Sequence, residues 1–193
     1  MVARDFGFAP NPFYGTCTLA TCKPVIRKVA AIGDWIVGTG SARNKRQRHL
    51  VFAMKVGETL KFDQYWNDPR FQQKRPKFTG SKKVAYGDNI YHRSATGQWI
   101  QERSHHSYAD GRKNEANVKT DTKADRVLIG SDFVYWGGSG PLIPPQFRQL
   151  NSDIRAVRGH KNNFPSEFVA RFIGWLKSQP EWGCVGRPFD WPV

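Results

Sequence analysis

The stretch Ile32-Gly33-Asp34-Trp35-Ile36-Val37-Gly38-Thr39-Gly40-Ser41, with the run that follows it, decides the fold. Gly33-Asp34 is a turn signal, and Trp35-Ile36-Val37 is rich in β-forming side chains. Gly38 and Gly40 remove side chains where the strand ends, which lets the backbone bend or another group come close. Ser41 to His49 then carries Arg43, Lys45, Arg46 and Arg48 and no acid. The chain re-enters an apolar run at Leu50-Val51-Phe52-Ala53-Met54-Lys55-Val56. Strand, glycine-flanked basic loop and strand predict a hairpin-like unit with a cationic tip.

Outward from this unit the chain reads as many short strands and few helices. Phe13 to Cys22 has strand alternation, with Phe13, Cys17 and Leu19 on one face. Val25 to Ala31 reads as a helical turn or two with Arg27 and Lys28 exposed. Leu60 to Phe71 is dense in aromatics and predicts a short helix or turn. Short strands follow around Tyr86 to Tyr91, Gly97 to Gln101, Val127 to Ile129 and Phe133 to Trp136. Ser107 to Asp125 is polar and poor in large apolar residues, which predicts a mobile loop or hairpin insertion. Pro165 to Gln179 is the best helix, with Pro165 suited to the first turn and Phe168, Phe172 and Leu176 on one apolar stripe. The expected architecture is a single α+β domain over residues 1–193. It is built on a bent, mostly antiparallel β-barrel with peripheral helices, one of them near the C-terminus, and has a polar loop insertion at about 107–125.

The charge is lopsided. The 193 residues carry a formal +14, and residues 1–100 hold 17 basic against 6 acidic side chains, or +11. Pro69 to Gly87 contains no acid, yet holds Arg70, Lys74, Arg75, Lys77, Lys82 and Lys83. Such an excess attracts polyanions, and the partner it predicts is nucleic acid, DNA or RNA, with the oligomeric state left open. No run approaches the roughly 18 apolar residues of a membrane span. Three cysteines give no disulfide framework and, with no apolar stretch at the N-terminus, predict a cytoplasmic protein with reduced thiols.

Cofactor and metal motifs are missing. Gly38-Thr39-Gly40 begins like a phosphate-binding loop, but Arg43 stands where a dinucleotide fingerprint needs its third glycine, and no Gly-Lys-Ser/Thr follows. Cys17 and Cys22 fall on opposite strand faces and Cys184 is remote, so no zinc site is expected. His105 and His106 are neighbours that point apart in an extended chain. A cysteine nucleophile needs a base, and nothing in the sequence pairs Cys22 with one.

What remains is aromatics interleaved with bases, the composition that stacks nucleobases and grips phosphates. The predicted base pocket is Gly38, Thr39, Ser41, Tyr65, Trp66, Asp68, Asp88, Asn89 and Tyr91. The glycines would admit a planar ring, Tyr65 or Trp66 would stack on it, and Asp68, Asp88 or Asn89 would read its edge. Predicted phosphate contacts are Arg43, Lys45, Arg46, Arg48, Arg70, Lys74 and Arg75. The expected function is a nucleic-acid-binding module that recognises a modified or flipped base. The alternative is an enzyme acting on a nucleotide or base, with Asp34, Cys22, Asp68 or Asp88 as acid, base or nucleophile.

Several segments are shared with a known family. Phe8-Ala9-Pro10-Asn11-Pro12-Phe13, Thr18-Leu19-Ala20-Thr21-Cys22-Lys23-Pro24, Gly33 to Ser41, Tyr65-Trp66-Asn67-Asp68-Pro69-Arg70-Phe71, Gly87-Asp88-Asn89-Ile90-Tyr91 and Ser131-Asp132-Phe133-Val134-Tyr135-Trp136-Gly137 together resemble the second of the nucleotide-modification-associated domain families. That resemblance runs over most of the chain and implies a bacterial or viral protein linked to altered bases, in a modification or defence system. The order of strand, Gly-Asp-strand-Gly-x-Gly-Ser, strand and aromatic Asp-Pro segment more distantly resembles the PUA-like group, with its EVE and YTH domains. That second likeness implies a small bent barrel that binds nucleic acid.

Overall fold

The computed structural model describes residues 1–149, 152–154 and 159–191. In chain order the elements begin with β1 (Cys17–Leu19), α1 (Pro24–Val29), β2 (Trp35–Thr39), β3 (Leu50–Lys55), β4 (Glu58–Leu60) and α2 (Phe62–Asn67). Next come α3 (Lys82–Ala85), β5 (Tyr91–Arg93), β6 (Trp99–Gln101), α4 (Glu115–Asp121), β7 (Val127–Gly130) and β8 (Phe133–Tyr135). A short hairpin, β9 (Arg148–Gln149) and β10 (Ser152–Asp153), precedes α5 (Ser166–Lys177) and β11 (Gly183–Cys184).

The expected strand, basic loop and strand form β2 and β3, paired antiparallel from Trp35 opposite Lys55 to Thr39 opposite Leu50, with a register shift at Gly38 and Thr39. These strands lie in a four-stranded sheet of order β11-β8-β3-β2, and a three-stranded sheet has the order β1-β7-β4. One double strand runs through both. β3 pairs antiparallel with β8, and β4 pairs antiparallel with β7. The bend falls between them, at Val56-Gly57 on one side and Gly130-Ser131-Asp132 on the other. A Cβ on Gly130 would lie 2.4 Å from the Lys55 carbonyl oxygen, so glycine permits the close approach that turns the corner. The fold is α+β with mostly antiparallel strands, as expected. Among the described residues, however, the strands do not close into a barrel. The bent ladder ends in two separate sheets, and β5 and β6 form their own hairpin.

α5 closes one face through Phe168, Phe172 and Leu176, all buried, as its apolar stripe predicts. Phe147 sets its ring perpendicular to both phenylalanines of that stripe. Two expectations from the sequence fail. Arg27 on α1 is fully buried rather than exposed. The polar segment Ser107 to Asp125 is not a structureless loop: it contains α4, which buries Val118 among Phe62, Tyr65 and Tyr91 and buries Asp121 as well. Val118 is the one large aliphatic side chain of the segment, so composition alone hides the helix.

Candidate active site at Cys22, His106 and Asp121

The site is built where β1 hands over to α1. Cys22 and Lys23 both take left-handed backbone conformations, with φ of 55° and 42°. Side chains other than glycine rarely adopt this region, and each such residue costs about 1–3 kcal/mol unless its surroundings hold it. Here they do. The Cys22 amide donates to Asp121 Oδ1 at 2.8 Å, and Arg27 Nε donates to the Cys22 carbonyl at 2.9 Å. The same guanidinium donates to the carbonyls of Ala124, Arg126 and Asp121. Arg27 thus ties the cysteine turn to the end of α4, which explains why a charged side chain is wholly buried.

His106 sits between Cys22 and Asp121. Its Nδ1 is 2.8 Å from Asp121 Oδ2, and its Nε2 is 3.5 Å from Cys22 Sγ. The turn that carries it is pinned from several directions. Its carbonyl accepts from Gln101 Nε2 and Asn117 Nδ2, and its amide donates to Ser104 Oγ. Tyr91 donates its hydroxyl to Asp121 Oδ2 at 2.9 Å and accepts from Gln101. Burial disfavours the charged imidazole. The hydrogen bonds to Asp121 and Cys22 and the charges of both outweigh it, and the ring is raised from 6.5 to about 9.

The three donor atoms lie within 4.8 Å of one another, a group that can also be read as metal ligands. The arrangement favours proton relay. Sulfur faces one ring nitrogen and carboxylate the other, and a single ion binds only one of the two. Nucleophile, base and orienting carboxylate in hydrogen-bonded series is the arrangement of covalent catalysis. Cys22 and His106 also line a cavity of about 380 Å³ with Phe6, Phe8 and Arg43, so the sulfur end of the series faces open space.

The sequence-predicted residues fall into three groups. Gly38 and Arg43 line this cavity, and Cys22 was a candidate of the enzymatic alternative. A Cβ on Gly38 would fall 2.1 Å from the Phe52 ring, so the glycine is required by core packing. Tyr65, Asp88, Asn89 and Tyr91 are fully buried, and Thr39 and Ser41 nearly so. Asp88 accepts from Thr18 and Tyr65, and Asn89 donates to the carbonyls of Tyr65 and Phe71, which makes them framework in place of the expected base pocket. Trp66 is covered on both faces, by His92 stacked at 4.1 Å and by Arg75 at 3.5 Å. Asp68 pairs with Arg70, which also pairs with Glu58. Asp34 lies apart, accepting from the Ala31 amide.

Among the predicted phosphate contacts, Lys74 is buried and donates to Asn11 and to the Thr16 carbonyl. Arg46 donates to the Gly140 carbonyl. Arg43, Lys45 and Arg48 are exposed and have no ion-pair partner among the described residues. Sequence reasoning missed His106 and Asp121, which lie 84 and 99 positions from Cys22. One signal was present: Asn114, Val118 and Asp121 have the spacing of a capped helix with one inward face.

No curated protein and no solved structure matches the chain. A family model described as nucleotide modification associated domain 2 matches residues 1–193, and the chain belongs to that family.

Proposed function

We propose that the chain is a nucleic-acid-binding enzyme of nucleotide modification that works through the thiol of Cys22. The observation that carries this reading is the series Cys22 Sγ, His106, Asp121, ending at a cavity wall. At neutral pH a ring raised to about 9 holds a second proton. That proton is the one taken from the Cys22 thiol across the 3.5 Å contact, so the sulfur is the nucleophile and the imidazolium is the acid. Sulfur attacks an electrophilic carbon of the substrate and an S–C bond forms. The displaced electron pair moves to the leaving or ring heteroatom, which takes the proton from Nε2. A second nucleophile, water or an amine, gives its proton to Nε2 and breaks the S–C bond. Asp121 keeps Nε2 aimed at sulfur throughout by holding Nδ1–H.

The +14 charge and the exposed cations of Arg43, Lys45 and Arg48 support binding to nucleic acid. A cavity of about 380 Å³ takes one base, so a duplex substrate must flip that base out. Three free cysteines suit a reducing, cytoplasmic compartment. The test is incubation with single- and double-stranded oligonucleotides, native and base-modified. A denaturant-stable adduct or a changed nucleoside mass is sought for the wild type and for Cys22→Ser. The expected result is an adduct or product that Cys22→Ser abolishes. Salt-sensitive binding with no Cys22-dependent product across the panel would remove the enzyme and leave the binding module.

A further inference from the structure

We infer that the mouth of the Cys22 cavity is a phosphate site that presents a nucleoside 5′-phosphate to the thiol. This rests on the reading of Cys22 as the catalytic nucleophile and adds what it acts on. The cavity wall carries Arg4, Lys23 and Arg43, all exposed, and no Asp or Glu lines it. Among the described residues none of the three cations has an ion-pair partner. Three exposed arginines elsewhere do have such partners: Arg70 has Glu58 and Asp68, Arg93 has Asp63 and Asp125, and Arg112 has Asp110. Three uncommitted cations around one acid-free cavity select an anion, and phosphate suits the arginine fork.

The rest of the wall suits a base. His105 stands at the rim, its charge disfavoured first by burial and then by His106 and Arg4. It packs edge-on or tilted against Phe6 and Phe8, so planar aromatic faces share the cavity with the cations and the sulfur. A volume of about 380 Å³ lies near the lower end of small-ligand pockets, about 300–1,000 Å³, which fits one nucleotide and excludes a base pair. Cations, aromatic faces and a thiol lining one cavity provide for phosphate, base and reacting carbon together. The nucleotide is either free or one residue of a strand.

The test is protection of Cys22 from iodoacetamide, read by site-resolved mass spectrometry at constant ionic strength, with Cys184 as the internal reference. The ligands are inorganic phosphate, a panel of nucleoside 5′-monophosphates, the matching nucleosides, and a short single-stranded oligonucleotide. At least one monophosphate should slow Cys22 alkylation fivefold or more. Its nucleoside should need about ten times the concentration, the effect of one charge-assisted contact. Arg43→Ala, measured against its own unprotected rate, should raise the half-protecting concentration about tenfold. Protection by mononucleotides makes the free nucleotide the source, and protection by the oligonucleotide alone makes it a strand. If Cys22 keeps a His106-dependent reactivity that no phosphate compound slows, the phosphate site is wrong and the thiol stands. If Cys22 reacts no faster than Cys184, the catalytic reading fails and the phosphate site fails with it.

Discussion

Asp88 and Asp121 are both buried carboxylates, 0% and 2% exposed, and each accepts a tyrosine hydroxyl, from Tyr65 and Tyr91 respectively. Their surroundings differ in one respect. The network of Asp88 is closed: Thr18 and Tyr65 donate to it, and beside it Lys74 donates to Asn11 and Thr16. Burial raises the Asp88 carboxyl, opposed by the Lys74 charge and the two hydroxyls. The network of Asp121 is open. It runs through an imidazole to a sulfur at a cavity wall. Closed, such a network specifies packing; open at one end, it positions a reactive group. The same kinds of side chain therefore serve structure in one place and chemistry in the other, and only where the series ends separates the two.

The largest expected effect breaks the closed network. Asp88→Ala leaves Lys74 buried with no carboxylate beside it and leaves the Tyr65 and Thr18 hydroxyls only their longer contacts, to Thr18 Oγ1 at 3.3 Å and the Asn11 carbonyl at 3.4 Å, and should cost about 3–5 kcal/mol in urea unfolding. Cys22 alkylation per folded molecule should be unchanged; a parallel fall in reactivity would mean that the two networks are coupled.

Asp121→Asn keeps the shape and removes the charge from the open network. The rate of Cys22 alkylation at pH 7 should fall about tenfold, equivalent to about 1.4 kcal/mol. A rate equal to wild type would show that the carboxylate does not orient the ring.

The pH dependence of stability separates the networks further. A histidine raised from 6.5 to about 9 binds its proton more tightly when folded. Its contribution to stability is therefore full below about pH 6.5 and is lost as pH rises through about 9. The limiting slope is about 1.4 kcal/mol per pH unit. Thermal or urea midpoints between pH 6.5 and 9 should fall less steeply in His106→Ala than in the wild type. Equal slopes would remove the charged imidazole from the account.

The smallest effect concerns Trp66, placed by sequence in the base pocket. Its faces are taken by His92 and Arg75, a half-buried packing worth about 0.5–1 kcal/mol per contact. Trp66→Ala should lower stability by about 1–2 kcal/mol and leave nucleic-acid affinity per folded molecule within twofold. A loss of affinity beyond fivefold at unchanged stability would return Trp66 to the binding surface.

The legible parts of the fold are those written in local period. β2, β3 and α5 follow from alternation, glycine placement and a 3.6-residue stripe, and all three lie within windows of a dozen residues. That the expected barrel stays open was not legible, because closure depends on which strands pair, and Gly130 turns the ladder through contact with Lys55, 75 positions away. Within the site, Cys22 and Arg43 could be singled out by residue type and loop charge. Their partners could not, since the cysteine, histidine and aspartate meet only when β1, the Ser104–Ser107 turn and α4 converge. Tyr65 and Asp88 misled for the opposite reason. An aromatic beside an acid has the same composition whether it cages a base or fills a core, and burial alone tells them apart.

The most direct test of the central claim compares thiols within one molecule. Cys17 is buried with its thiol pushed up by burial, Cys184 is exposed, and Cys22 faces His106. Iodoacetamide rates at all three should be followed from pH 6 to 9 in wild type and His106→Ala. The account predicts that wild-type Cys22 reacts at pH 6.5 at least ten times faster than Cys184, and that His106→Ala removes that advantage. A Cys22 rate that tracks Cys184 across the range, or one indifferent to His106→Ala, contradicts it.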